Sequence, residues 1–145
     1  MDASMTVGFY AVLKGILYFV IRKVKESRFS RKAMISFGYF LFFAGYIAYM
    51  FAFNVAHILI IQGLLAFGEV IINPSWSAVI ANALTKGKER TIYSDFYGYR
   101  SIAEGGAAIL GGILATQLGF NVLFGLMAAF ALSASVLALF LEKSE

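Results

Sequence analysis

Apolar residues run through this chain in five stretches separated by short polar connectors. They lie at roughly Thr6–Ile21, Ala33–Phe53, Val55–Leu84, Ile102–Leu118 (within a span of about 97–118) and Phe120–Leu141. A helix needs about 20 apolar residues to cross a hydrocarbon core of about 30 Å. The second, third and fifth stretches reach that length, and the first and fourth lie near the lower limit. The third is longer than needed, and Pro74 gives it cause to kink or tilt. The pattern predicts an all-α integral membrane bundle of five transmembrane helices, forming one domain over residues 1–145.

Polar residues inside these stretches mark where protein or water, rather than lipid, is expected. In the third, Gln62, Glu69, Asn73 and Ser77 recur at spacings of 7, 4 and 4, which puts them on one helix face. At about 1.5 Å per residue, Glu69 lies roughly 18 Å along from His57, deep in the bilayer. In the first stretch Thr6, Tyr10, Lys14 and Tyr18 follow at intervals of four, with Lys14 about 12 Å from either end. Ionisable groups at such depth are costly and point to an ion or substrate path. Glu69, Lys14, Asn73, Gln62 and Trp76 are therefore the candidate substrate- or ion-binding residues. Glu69 is either a proton or cation site or a structural carboxylate. Lys14 either binds an anionic solute or neutralises Glu69.

Charge then orients the bundle. The chain holds twelve Lys and Arg, and six of them fall in the connector Arg22–Lys32. Lys86, Lys88, Arg90 and Arg100 fall in the connector after the third stretch, and Lys143 in the tail. The connectors near Asn54 and Gly119–Asn121 carry none. By the positive-inside rule the basic side is cytoplasmic, so the N-terminus lies outside and the C-terminus inside the cell membrane. Grouped this way, the +4 net charge reports on topology and implies no nucleic-acid partner.

Composition narrows the chemistry. The chain is 61% hydrophobic and 14% charged, too little charge for the surface of a soluble domain. It has no cysteine and one histidine, His57, which excludes disulfides, thiol nucleophiles and multi-histidine metal sites. No cofactor and no metal are expected. The start MDASM has an acid where a secretory signal has positive charge. No apolar stretch contains an aspartate, and Ser75 and Ser77 have no evident partner base, so an enzyme is not expected. The second and fifth stretches lack charge and read as lipid-facing. In the fourth, Ala107, Gly111, Gly112 and Ala115 form a small-residue ridge expected to pack against another helix. Glu104 reads as a structural acid close to that helix's N-terminus.

Several local features together resemble the major facilitator superfamily of secondary transporters. RFSRK, Arg28–Lys32, resembles the end of the family's D-R-x-G-R-R/K cytoplasmic loop motif through Arg28, Arg31 and Lys32, with Ser27 for the acid and Ser30 for the glycine. QGLLAFGEVIINPSWSAVIANAL is similar to the family's fourth and tenth helices, and GKERTIYSDFYGYRSIAEGGAAILGGIL to the loop and glycine-rich helix that follow. The family's fifth-helix antiporter proline is absent, and Leu59 stands where a fourth-helix arginine would fall. Both absences favour helices eight to twelve over two to six.

The resemblance implies that helices eight, ten and eleven line a central cavity while nine and twelve lie outside. Lys14, Glu69 and Glu104 fall on the first, third and fourth stretches, in keeping with that order. It further implies solute transport by alternating access between two helical bundles, with a lipid bilayer, a small-molecule solute and a coupling proton or cation as partners. The remaining transporter helices, or a second chain, complete the carrier. The alternative is a non-transporting membrane assembly subunit, or a truncated and inactive transporter fragment.

Overall fold

The computed structural model describes residues 3–22, 30–82 and 84–141. It contains five helices: α1 (Ala3–Ile21), α2 (Arg31–Tyr49), α3 (Val55–Asn82), α4 (Glu89–Leu118) and α5 (Phe120–Ala138). Among the described residues, α2 to α5 are each long and apolar enough to cross a membrane, and Thr6–Ile21 of α1 is a shorter apolar segment.

Local chemistry sets the helix ends. Ser30 caps α2, its hydroxyl accepting from Ala33 N at 3.3 Å. At the other end, Met50 N and Phe51 N bond back three residues, to the Ile47 and Ala48 carbonyls. This tightening stops α2 at Tyr49, short of the Phe53 reached by the apolar run. Gly119 alone separates α4 from α5, with φ 86° and ψ 164°, a backbone conformation that a Cβ would strain.

The fourth helix differs most from expectation. It runs for 30 residues, about 45 Å, and begins thirteen residues before Ile102. Its first turns, ERTIYSDFYGYRS, carry too many polar groups to read as a membrane span. Ile92, Tyr93 and Phe96 are half-buried on one side while Arg90, Ser94 and Asp95 are exposed, so this segment is helical without being uniformly apolar. Two corrections follow. Arg100 belongs to α4 and not to a connector, and Glu104 sits four turns inside the helix rather than near its N-terminus.

In space the helices pack in the order α1, α3, α2, α5, α4. The second helix is therefore wedged between α3 and α5, although Phe37 and Phe40 remain exposed on its outer side. Glycine makes this possible. A Cβ on Gly68 would stand 3.0 Å from the Gly38 carbonyl oxygen, and one on Gly45 would stand 2.6 Å from Leu65 Cδ2. On the α5 side, Ala128, Ala131, Ser135 and Ala138 are buried, and Ser135 Oγ donates to the Ser36 carbonyl at 2.8 Å. The small-residue seams thus lie on α2, α3 and α5. On α4, Gly111 approaches Leu123 and Ala115 is half-buried, whereas Ala107 and Gly112 are exposed.

Candidate functional site

The four-residue rhythm of α1 turns Tyr10, Lys14 and Tyr18 toward α3, which runs parallel to it. There they meet Glu69. Lys14 Nζ lies 3.1 Å from Glu69 Oε1, and the Tyr10 hydroxyl donates to Glu69 Oε2. One turn further along α3, the Asn73 amide donates to Glu69 Oε1 at 3.1 Å and to the Tyr18 hydroxyl at 3.1 Å. Lys14 Nζ also stands 5.2 Å from the Tyr10 ring centroid, within cation–π range. The side chains of Lys14 and Glu69 are 29% and 21% exposed, so neither charge is left bare. The carboxylate accepts from a cation, a phenol and an amide, and both of its oxygens are engaged. Such multiple contacts offset part of the cost of holding an ion pair away from water.

Pro74 follows directly and has no N–H for the Val70 carbonyl. Ser75 Oγ and Ser77 Oγ donate to the Ile71 and Asn73 carbonyls at 2.8 and 3.0 Å. The helix α3 continues past the proline to Asn82.

Glu69 and Asn73 also line a cavity of about 650 Å³ bordered by α2, α3 and α4. Tyr39 and Phe42 of α2 form one wall, and Ile72 and Trp76 of α3 continue the wall that begins at Glu69. Phe96, Tyr99, Arg100 and Glu104 of α4 form the far wall, where Arg100 Nε bonds Glu104 Oε1 at 2.6 Å. Every one of these residues lies about 9 to 22 Å from the end at which α2 and α4 begin and α3 stops. That end carries Arg31, Lys32, Lys86 and Lys88.

The structure thus brings Glu69, Lys14 and Asn73 into one network and places Trp76 on the adjoining cavity wall. Gln62 is half-buried two turns away on α3 and takes no part in the network. Of the loop motif, Arg31 and Lys32 open α2, and Arg28 lies outside the described residues. Tyr10 and Tyr18 belong to the polar face of the first stretch, and the structure adds that they bond Glu69 and Asn73. The aromatic lining gave no sequence signal, because Tyr39 and Phe42 fall in an apolar stretch that reads as lipid-facing and Phe96 and Tyr99 precede the apolar run that begins at Ile102. Arg100 and Glu104 carried one: a basic and an acidic residue four apart is a helical pair.

The sequence matches the family model described as Major Facilitator Superfamily over residues 1–145. The chain belongs to the Major Facilitator Superfamily. No curated protein and no solved structure matches it. Membership makes it an integral membrane protein of a transporter family, not an enzyme, and implies secondary transport of a solute across the bilayer. The match spans the whole chain, so the Glu69 network and the cavity both lie inside the family region.

Proposed function

We propose that this chain supplies the C-terminal helices, corresponding to helices eight to twelve, of a secondary carrier that works by alternating access in the cell membrane. One observation carries the reading. Glu69 is held by Lys14, Tyr10 and Asn73 and also lines an open cavity. A carboxylate with a tethered counter-ion and a route to water suits exchange of a proton or cation against the Lys14 ammonium. In this reading the pair forms in one access state and separates in the other, freeing Glu69 for the coupling ion. The basic connectors favour a cytoplasmic cavity end, which supports reading this arrangement as inward-facing.

A carrier of this design also needs an opposing bundle. The exposed face of α4, with Ala107 and Gly112 uncovered, favours further helices against it, from a longer polypeptide or a second chain. The test is gradient-driven uptake of a panel of labelled solutes into proteoliposomes. The monomeric 145-residue chain is expected to give none. Joined by the complementary helices it should give saturable uptake, lost on Glu69→Gln. Saturable uptake by the monomeric chain alone would contradict the need for a second bundle. Accumulation against a gradient by the Glu69→Gln assembly would contradict the role given to Glu69.

A further inference from the structure

The far wall of the cavity carries a second charge pair that the Glu69 network does not use. Arg100 binds Glu104 through Nε alone and to Oε1 alone. The two terminal guanidinium nitrogens of Arg100 and Oε2 of Glu104 make no hydrogen bond among the described residues. Both side chains are open, 44% and 63% exposed, and border the same cavity as Phe96, Tyr99, Tyr39 and Trp76. A cation and an anion one helical turn apart, each with spare hydrogen-bonding capacity and flanked by aromatic rings, match a solute bearing both charges beside a flat apolar body.

Charge balance sharpens this. Around the cavity Glu69 is paired with Lys14 and Glu104 with Arg100. A solute with one net charge would meet an opposite charge on only one member of the half-exposed Arg100–Glu104 pair. A zwitterion meets one on both, and its ends complete the pair as a four-charge square. We propose that this cavity binds a zwitterionic solute with an aromatic or similarly flat apolar body, its carboxylate on the Arg100 guanidinium and its ammonium on Glu104. This rests on the carrier reading of the same cavity and adds the substrate class. The arginine fork suits a carboxylate, and the surrounding rings take the apolar body by stacking.

Trp76 is the single tryptophan of the chain and stands on the cavity wall, so its fluorescence reports occupancy directly. The full chain in lipid nanodiscs is titrated at pH 7 with 4-nitrophenylalanine, whose nitro ring quenches indole emission. Three derivatives of the same body follow: the N-acetyl acid (anion), the amide (cation) and the N-acetyl amide (neutral). The zwitterion is expected to quench Trp76 saturably, with each derivative binding roughly ten-fold or more weakly. Arg100→Gln and Glu104→Gln should each weaken the zwitterion about ten-fold and leave the neutral derivative unchanged. The double swap Arg100→Glu with Glu104→Arg should retain the preference. Circular dichroism and size-exclusion elution establish that each variant is folded.

The proposal is overturned if the zwitterion fails to quench saturably, if the neutral derivative binds as tightly, or if folded Arg100→Gln binds the zwitterion unchanged. Because binding is read without transport, the two readings fail separately. Glu69-dependent uptake alongside absent zwitterion binding overturns the substrate class alone. Zwitterion binding with no uptake by the completed assembly overturns the carrier reading alone.

Discussion

Removing Lys14 and Glu69 singly and together tests whether they act as one unit. A charged side chain at the bilayer centre costs about 2.5 to 3.5 kcal/mol on insertion scales. Here the two ions meet at 3.1 Å with less than a third of each side chain exposed. Interhelical hydrogen bonds in membranes contribute about 0.6 kcal/mol on average and about 1.7 at most. A charge-assisted bond of this geometry belongs at the upper end, giving a coupling of about 1 to 2 kcal/mol, or roughly 5- to 30-fold in the folded ratio. Lys14→Met alone leaves Glu69 with Tyr10 and Asn73 but no counter-ion. Glu69→Gln alone leaves an uncompensated ammonium between α1 and α3. The double variant removes both faults, so it should lose less stability than the sum of the singles by that coupling. Equilibrium unfolding of all four proteins in bicelles, followed by helical circular dichroism, measures it. Additivity within about 0.3 to 0.5 kcal/mol would refute the reasoning.

Other consequences follow from the packing and the topology. Gly38→Leu or Gly68→Leu should force α2 from α3 and lower the midpoint of thermal unfolding by several degrees, whereas Gly112→Leu, with nothing within 4 Å of the added Cβ, should change it little. Equal midpoints for the three variants would contradict the α2–α3 seam. Gly119→Ala should cost about 1 to 3 kcal/mol, because φ 86° with ψ 164° is a conformation essentially confined to glycine; an unchanged unfolding midpoint would count against that turn. The natural chain has no cysteine, so single cysteines can be labelled cleanly in intact cells with an impermeant reagent. Asn54→Cys and Asn121→Cys should react and Lys25→Cys and Lys88→Cys should not; the reverse pattern would invert the membrane orientation.

Five helices and their approximate positions are legible because hydropathy is a local signal. The polar partners on α1 are legible too, since Tyr10, Lys14 and Tyr18 announce their shared face by spacing. What escapes is pairwise. None of the three glycines of the α2–α3 crossing stands out in sequence, because close approach depends on which residue arrives opposite: Gly68 faces Gly38, and Leu65 faces Gly45. The row Ala107, Gly111, Ala115 looks like a stronger seam and yet leaves Ala107 exposed. The start of α4 is hidden for another reason. Its first turns mix Tyr and Phe with Arg, Ser and Asp, so neither apolar length nor charge grouping reports the helix, and Arg100 is miscounted as a connector residue. The cavity inherits that blindness, since its far wall is built from those turns.

The most direct test of the account is whether the cavity is reached from one side of the membrane at a time. Ala103 is small, exposed, and lines the cavity between Arg100 and Glu104, so Ala103→Cys introduces a thiol there with little disturbance. The variant is placed in sealed vesicles of inside-out and right-side-out orientation and treated with a membrane-impermeant thiol reagent. An inward-open carrier site predicts fast labelling in inside-out vesicles and protection in right-side-out ones. Equal labelling from both faces, as an open channel would give, or protection from both, as a sealed packing surface would give, would contradict it.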